Sequence, residues 1–338
     1  YGNVMGTEGS HANSPRLTGC AGYVSSKVQG INQGNITWAG TAGATSLAGI
    51  CFYGSAYDST NGVEGDDTKG QIIFSGSSTG NTHFGGIARD PWNANFSNCN
   101  NYGDMHITGH SRGSMYVGGV IYVGIAEGYT CSNCNNYGDI NISATVGDEK
   151  NTGADFFVGG LAYACALNDN KKTKTYINCH NYGDINILPA CVVANSLRLG
   201  GLVANIESDI LATFDSCSNH GNLNIAATSS ASTSGSYCIG GCFSTFDNNK
   251  QMIIKGGIKN TGNITISGEN KKSSLVVGGV FGNIAADGIT TGFEGKLINE
   301  GDINISGKSA TSIRIGGVIG MIVFIPLLAS IYTLLMES

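Results

Sequence analysis

The chain has 338 residues, of which 12% are charged, 52 are glycine and 4 are proline, and its formal net charge is −6. Charge is about half and glycine about twice the usual share; the few prolines exclude collagen and Pro-rich linkers. A hydrophobic content of 41% excludes a disordered chain, and the scarcity of basic residues argues against a phosphate-tracking groove, hence against nucleic acid as a partner.

From the first residues onward the chain repeats itself. Degenerate or loose copies of one motif are centred on Gly2, Gly34 and Gly70. Clear copies follow as Asn101-Tyr102-Gly103-Asp104-Met105-His106-Ile107, Asn136-Tyr137-Gly138-Asp139-Ile140-Asn141-Ile142 and Asn181-Tyr182-Gly183-Asp184-Ile185-Asn186-Ile187. Looser ones close the series at Gly221, Gly262 and Gly301. Each copy precedes a tract of two small residues between apolar ones, a Gly-Gly pair in the clearest cases, such as Val117-Gly118-Gly119-Val120, Val158-Gly159-Gly160-Leu161 and Leu199-Gly200-Gly201-Leu202.

Inside a copy the period is two. In Leu297–Ile305 the odd positions share one face and the even positions are mostly polar, which predicts a strand with one buried side. Each repeat then supplies two recognisable strands and a third in the variable stretch. One unit cannot bury its own apolar face, but stacked units can. The fold predicted is all-β: a parallel β-helix, or β-solenoid, of about nine coils spaced ~4.8 Å apart. Residues 1–320 form the repeat domain, read as truncated at its N-terminus because the chain opens inside a motif, and 321–338 form an apolar tail. An open first coil carries a risk of end-to-end self-association.

Stacking turns every repeat position into a ladder. Asn32, Asn101, Asn136, Asn181, Asn219, Asn260 and Asn299 occupy one position, with Thr68 as the exception. A buried polar column must be hydrogen-bonded, so this one is read as an internal, turn-stabilising amide ladder. The motif glycines need either positive φ or room for close backbone approach. Cys99, Cys134, Cys179 and Cys217 share a position that Ile258 and Leu297 fill later, so they are read as inward-pointing, buried thiols; a disulfide between rungs is conceivable.

Two columns are candidate sites. Asp104, Asp139 and Asp184 place three carboxylates in a row, and like charges at that spacing repel. Either solvent screens them, or a cation bridges them; calcium suits such oxygen ligands, although the Gly-Gly-x-Gly-x-Asp signature is missing. No other cofactor is called for. Tyr102, Tyr137 and Tyr182 form a recurring aromatic column that either stacks on itself or offers a sugar- or protein-binding stripe. The variable stretches, such as Gly147–Asp155, are the other expected binding surface.

The pairing of Asn-x-Gly-Asp-Ile-x-Ile with apolar-Gly-Gly-apolar resembles the GLUG-type repeats of bacterial surface and adhesin-like proteins, over nearly the whole chain. The resemblance implies a secreted or surface-displayed, extracellular and non-catalytic protein: an adhesin, stalk or interaction scaffold. Its partner would be a glycan or protein of a host or neighbouring cell. The competing reading is a polysaccharide lyase or glycoside hydrolase on the same fold, which needs paired carboxylates outside the repeat pattern. The histidines are scattered in sequence, and His-Glu-x-x-His does not occur.

The tail from Met321 to Met336 is uncharged and interrupted by Pro326. Proline cannot donate to a strand ladder, so a helix is expected over Leu327–Met336. Its expected role is membrane association through 321–336, as an anchor or lipid-anchor signal, or else a cap on the last coil.

Overall fold

Strand side chains alternate between two faces. In Ile140-Asn141-Ile142 that rule sends both isoleucines to one side and the asparagine to the other, and only another coil can cover the isoleucines. The computed structural model describes residues 2–7, 11–90, 95–123, 130–148, 151–165, 174–206, 211–229, 235–246, 251–270, 274–285, 294–309 and 311–323. Within them the triplets build one parallel sheet of nine strands, from Val4–Gly6 through Ile140–Ile142 and Ile185–Ile187 to Ile303–Ile305. Neighbouring coils pair in register, Ile140 with Ile185 and Ile142 with Ile187.

Each coil then adds a two-residue strand, such as His110–Ser111, and a strand that ends at the Gly-Gly pair, such as Met115–Gly118; each kind forms its own nine-stranded sheet. A fourth sheet of twenty strands collects the segments that lead from the Gly-Gly pair back to the next motif. The protein is an all-β parallel solenoid, and the described residues contain no helix. The fourth sheet is richer than the single extra strand expected from the variable stretches.

The alternation holds as expected. Ile140, Ile142, Ile185, Ile187, Ile264 and Ile266 are buried, while Asn141, Asn186 and Thr265 are half-buried and Asn304 is exposed. Ile303 and Ile305 are only partly buried, because their coil is the last one among the described residues. The last strand of the fourth sheet, Ile319–Val323, pairs with Phe281–Ala285, so Met321, Ile322 and Val323 continue the solenoid. The rest of the tail, including the helix expected over 327–336, lies outside the described residues.

The interior divides into two apolar compartments. One is lined by the triplet strands and the strands before Gly-Gly, with Ile140, Val158 and Leu199 among its members. The other holds Val120, Tyr176, Phe214 and the inward cysteines. The Gly-Gly corner lies between them. There the chain folds back so sharply that a Cβ on Gly118 would lie 1.8 Å from the carbonyl oxygen of Ile121, three residues on. The second glycine of the pair packs on the next coil: a Cβ on Gly119 would lie 2.0 Å from the Gly160 carbonyl and 2.7 Å from the Asn136 side chain. Neither glycine is among the residues of positive φ. Close approach, not backbone handedness, demands glycine here.

Gly119→Ala should therefore separate two coils and strongly destabilise the solenoid. Gly153→Ala, where the nearest atom is 3.9 Å away, should leave the melting temperature within a few degrees of the parent. Thermal unfolding followed by circular dichroism checks the contrast, and equal effects of the two changes would refute the packing account.

Candidate functional site

The asparagine ladder runs unbroken through the solenoid. Asn101 Nδ2 donates to Asn136 Oδ1 at 2.7 Å, Asn136 to Asn181 at 2.8 Å and Asn181 to Asn219 at 2.8 Å; Asn219, Asn260 and Asn299 continue it. The second Nδ2 hydrogen goes to the carbonyl two residues on, as from Asn136 to Gly138 at 2.9 Å. Both donors are used and the amide oxygen accepts from the coil before, which is how a fully buried amide column is tolerated. One position is corrected. Asn61, not Thr68, occupies the rung between Asn32 and Asn101, at 2.7 Å from each. An insertion separates Asn61 from its motif glycine, Gly70, whose carbonyl it still reaches at 2.8 Å. Thr68 sits within that insertion and bonds Asp66 instead. The insertion hid the rung from a fixed-offset alignment.

Asn136→Leu would leave the Asn101 donor and the Asn181 acceptor unmatched in the interior. A buried unsatisfied group costs about 1–3 kcal/mol, so the variant should lose roughly twice that, measured as a lowered midpoint in urea unfolding.

The aspartate row is a second ladder of a different kind. Asp104 Oδ1 accepts from the backbone N–H of Asp139 at 2.7 Å, Asp139 Oδ1 from Asp184 at 2.8 Å, and Asp184 Oδ1 from Asn222 at 2.7 Å. Asn222 and Asn263 do the same for the coils that follow. Each side chain thus binds the next coil's backbone, and the row runs from coil to coil without converging. Among the described residues no group of three or more His, Cys, Asp or Glu is arranged to hold a metal ion. Burial pushes the Asp104 and Asp139 carboxyls above the ordinary value, and for Asp139 the flanking Asp104 and Asp184 add to it.

A carboxyl whose pKa is raised by folding destabilises the fold when ionised, and the penalty is relieved as pH falls through the raised value. Asparagine makes the same acceptor bond without the charge, as Asn222 does. Asp139→Asn should therefore raise the melting temperature at neutral pH. The gain should shrink on acidification and level off below the free carboxyl value of 3.8, a trend readable from melts across pH.

Tyr102, Tyr137 and Tyr182 do stack, with ring centroids 4.8 Å apart and planes within 11° and 4°. His220 extends the column on Tyr182, at 4.8 Å and 5°. Tyr137 and Tyr182 are 39% and 41% exposed. Because each ring covers its neighbour's face, the column offers solvent its edges. The rings stack on one another and their rims stay open.

Further rows flank this column. Asn98, Asn133 and Asn178 adopt positive φ at 53°, 52° and 51° and link side chain to side chain, Asn178 to Asn133 at 2.8 Å and Asn133 to Asn98 at 3.2 Å. Their signal was the recurring Asn-Cys dipeptide, whose asparagine tolerates the left-handed turn. Asn135 bonds Asn100 at 3.1 Å, and Asn186 bonds both Asn141 and Asn224 at 2.9 and 2.8 Å.

The inward cysteines are thiols. Cys99, Cys134, Cys179 and Cys217 are buried, as is Cys131, whose sulfur lies 3.8 Å from that of Cys179. Burial pushes the Cys134 and Cys217 thiols well up from their ordinary value, and that of Cys191 up to about 12. In the loop Gly147–Asp155, Arg112 pairs with Asp148 at 2.7 Å; most other variable stretches lie largely outside the described residues.

A cluster of aromatic and cationic groups was not foreseen. The fold-back at Gly-Gly brings the outer faces of two consecutive strands together, so Tyr116 meets Tyr122 and Phe157 meets Tyr163, at 5.8 and 5.2 Å. Arg89 lies over Phe52 and Tyr122 at 4.9 and 5.0 Å, and Arg198 over Phe157 at 5.4 Å. His83 stacks on Tyr116, and burial together with Arg89 pushes its pKa down to about 3, so it is neutral.

No family model, curated protein or solved structure matches the chain. Among the described residues no helix is long and apolar enough to cross a membrane.

Proposed function

We propose that this protein is a non-catalytic, surface-displayed scaffold of the adhesin or stalk kind, as its resemblance to GLUG-type repeats implies. It would meet a glycan or protein of a neighbouring cell through the face around the Asn-x-Gly turn. The observation that carries this reading is a grid of side chains on that face. Asn98, Asn100, Tyr102, Asp104 and His106 recur one coil on as Asn133, Asn135, Tyr137, Asp139 and Asn141, and again as Asn178, His180, Tyr182, Asp184 and Asn186.

Such a grid suits a partner that itself repeats, because the same weak polar contact is made on each coil and the contacts add by multivalency. A polysaccharide strand lying along the axis has that property. With the tyrosine faces occupied by one another, contact would come through ring edges, phenol hydroxyls and flanking amides.

A glycan array probed with the folded protein tests the reading. The expected result is selective binding to a polymeric glycan. The double change Tyr137→Ala and Tyr182→Ala should weaken it roughly tenfold, the equivalent of about 1.4 kcal/mol for the lost polar contacts. Shortening of any bound polysaccharide would overturn the non-catalytic reading, and binding indifferent to the tyrosines would move the site elsewhere.

A further inference from the structure

The fold brings together two histidines that the sequence keeps 40 positions apart by number, His180 and His220. They lie on neighbouring coils, where His180 pairs in register with Ser218. His180 Nδ1 is 2.6 Å from Ser218 Oγ, and His220 Nε2 is 2.8 Å from the same oxygen. One nitrogen of each ring therefore aims at a single point.

The far nitrogens are anchored. His180 Nε2 lies 2.9 Å from Asn178 Oδ1, and His220 Nδ1 lies 2.9 Å from Thr261 Oγ1. Asn178 uses its amide nitrogen on Asn133, so its oxygen faces the imidazole and takes the Nε2 proton. That leaves a lone pair on His180 Nδ1, directed at Ser218. Ser218 has a single hydroxyl proton, so once it is given to His180 the serine oxygen accepts from His220 Nε2; Thr261 Oγ1 can take the His220 proton at Nδ1 instead, and that tautomer frees Nε2 for a metal. Tyr182 lies flat against the His220 ring and fixes its plane. Burial pushes the pKa of both imidazoles down, and for His220 the nearby Lys259 adds to this. Lys259 itself is paired with Glu300 at 2.8 Å.

One ring nitrogen free and the other bonded to an oxygen of the surrounding protein is the arrangement of metal-ligating histidine. We propose that His180 and His220 form a two-imidazole site for a divalent transition-metal ion, zinc(II) by its affinity for imidazole nitrogen, with water completing the coordination. The ion would take the point now held by Ser218 Oγ, with the serine rotating aside. Zinc–nitrogen bonds are ~2.0–2.1 Å, so each ring would close by less than an ångström. The site shares Asn178, His180 and Tyr182 with the face proposed for glycan, but its argument does not rest on that reading.

Titration of the full chain with zinc chloride, followed by calorimetry and by the histidine ring signals in NMR, tests this. One equivalent should bind and shift the His180 and His220 signals. His180→Gln and His220→Gln should each weaken binding at least about tenfold, and Asn178→Ala, which removes an anchor, by about 10–100-fold. His220 is exposed, so His220→Gln keeps the test decisive if His180→Gln disturbs folding, which a thermal melt reports. No uptake at millimolar zinc would overturn the proposal. So would uptake that survives His220→Gln in a folded variant, including uptake abolished only by thiol alkylation, which would place the ion on the cysteines.

Discussion

The structure depends on one constraint: a column of buried asparagine amides must find every hydrogen bond it can make while running through the interior of a β-solenoid. Each amide meets the demand by donating once along the axis and once to its own turn, as Asn136 does to Asn181 and to Gly138. That geometry leaves no room on the other side. The second glycine of each Gly-Gly pair lies against the asparagine of the following coil, Gly119 on Asn136, Gly160 on Asn181 and Gly201 on Asn219. The two sequence motifs are therefore halves of a single device, one polar and one without side chains, and neither can change alone.

Everything outside the column follows from stacking. A residue type placed at one repeat position becomes a row, and a row must be compatible with itself at the spacing of adjacent strands. Asparagines achieve this by bonding one another, as do Asn133 and Asn178. Tyrosines achieve it by lying face to face. Aspartates bond the backbone of the next coil, but their charges do not cancel, and the raised carboxyl of Asp139 records the strain. Asn222 and Asn263, at the same position, keep the bond and avoid the charge.

The Gly-Gly corner has a second consequence. By folding the chain back it makes a re-entrant angle on the outside of the solenoid, and large side chains fill it. Tyr122, Phe157 and Tyr163 become buried although they point away from both interior compartments. Arginines pack over the same rings, where a guanidinium keeps its charge while covering an aromatic face.

The sequence by itself determined the fold class, the repeat, the inward isoleucines, the amide ladder and the buried thiols. These are legible because they are consequences of period two and of stacking, and both act at fixed offsets along the chain. Asn61 escaped because an insertion before Gly70 broke the offset while the fold kept the rung. Only the tertiary structure decided which residues meet across coils and corners. The carboxylate row was visible, but not that each oxygen is used by the next backbone N–H. The pairing of Tyr116 with Tyr122 depends on an angle that only the packed glycines set. His180 and His220 looked scattered because they occupy different repeat positions, His180 opposite Ser218 and His220 two residues further on, and it is the lateral pairing of strands, not distance along the chain, that brings them to one point.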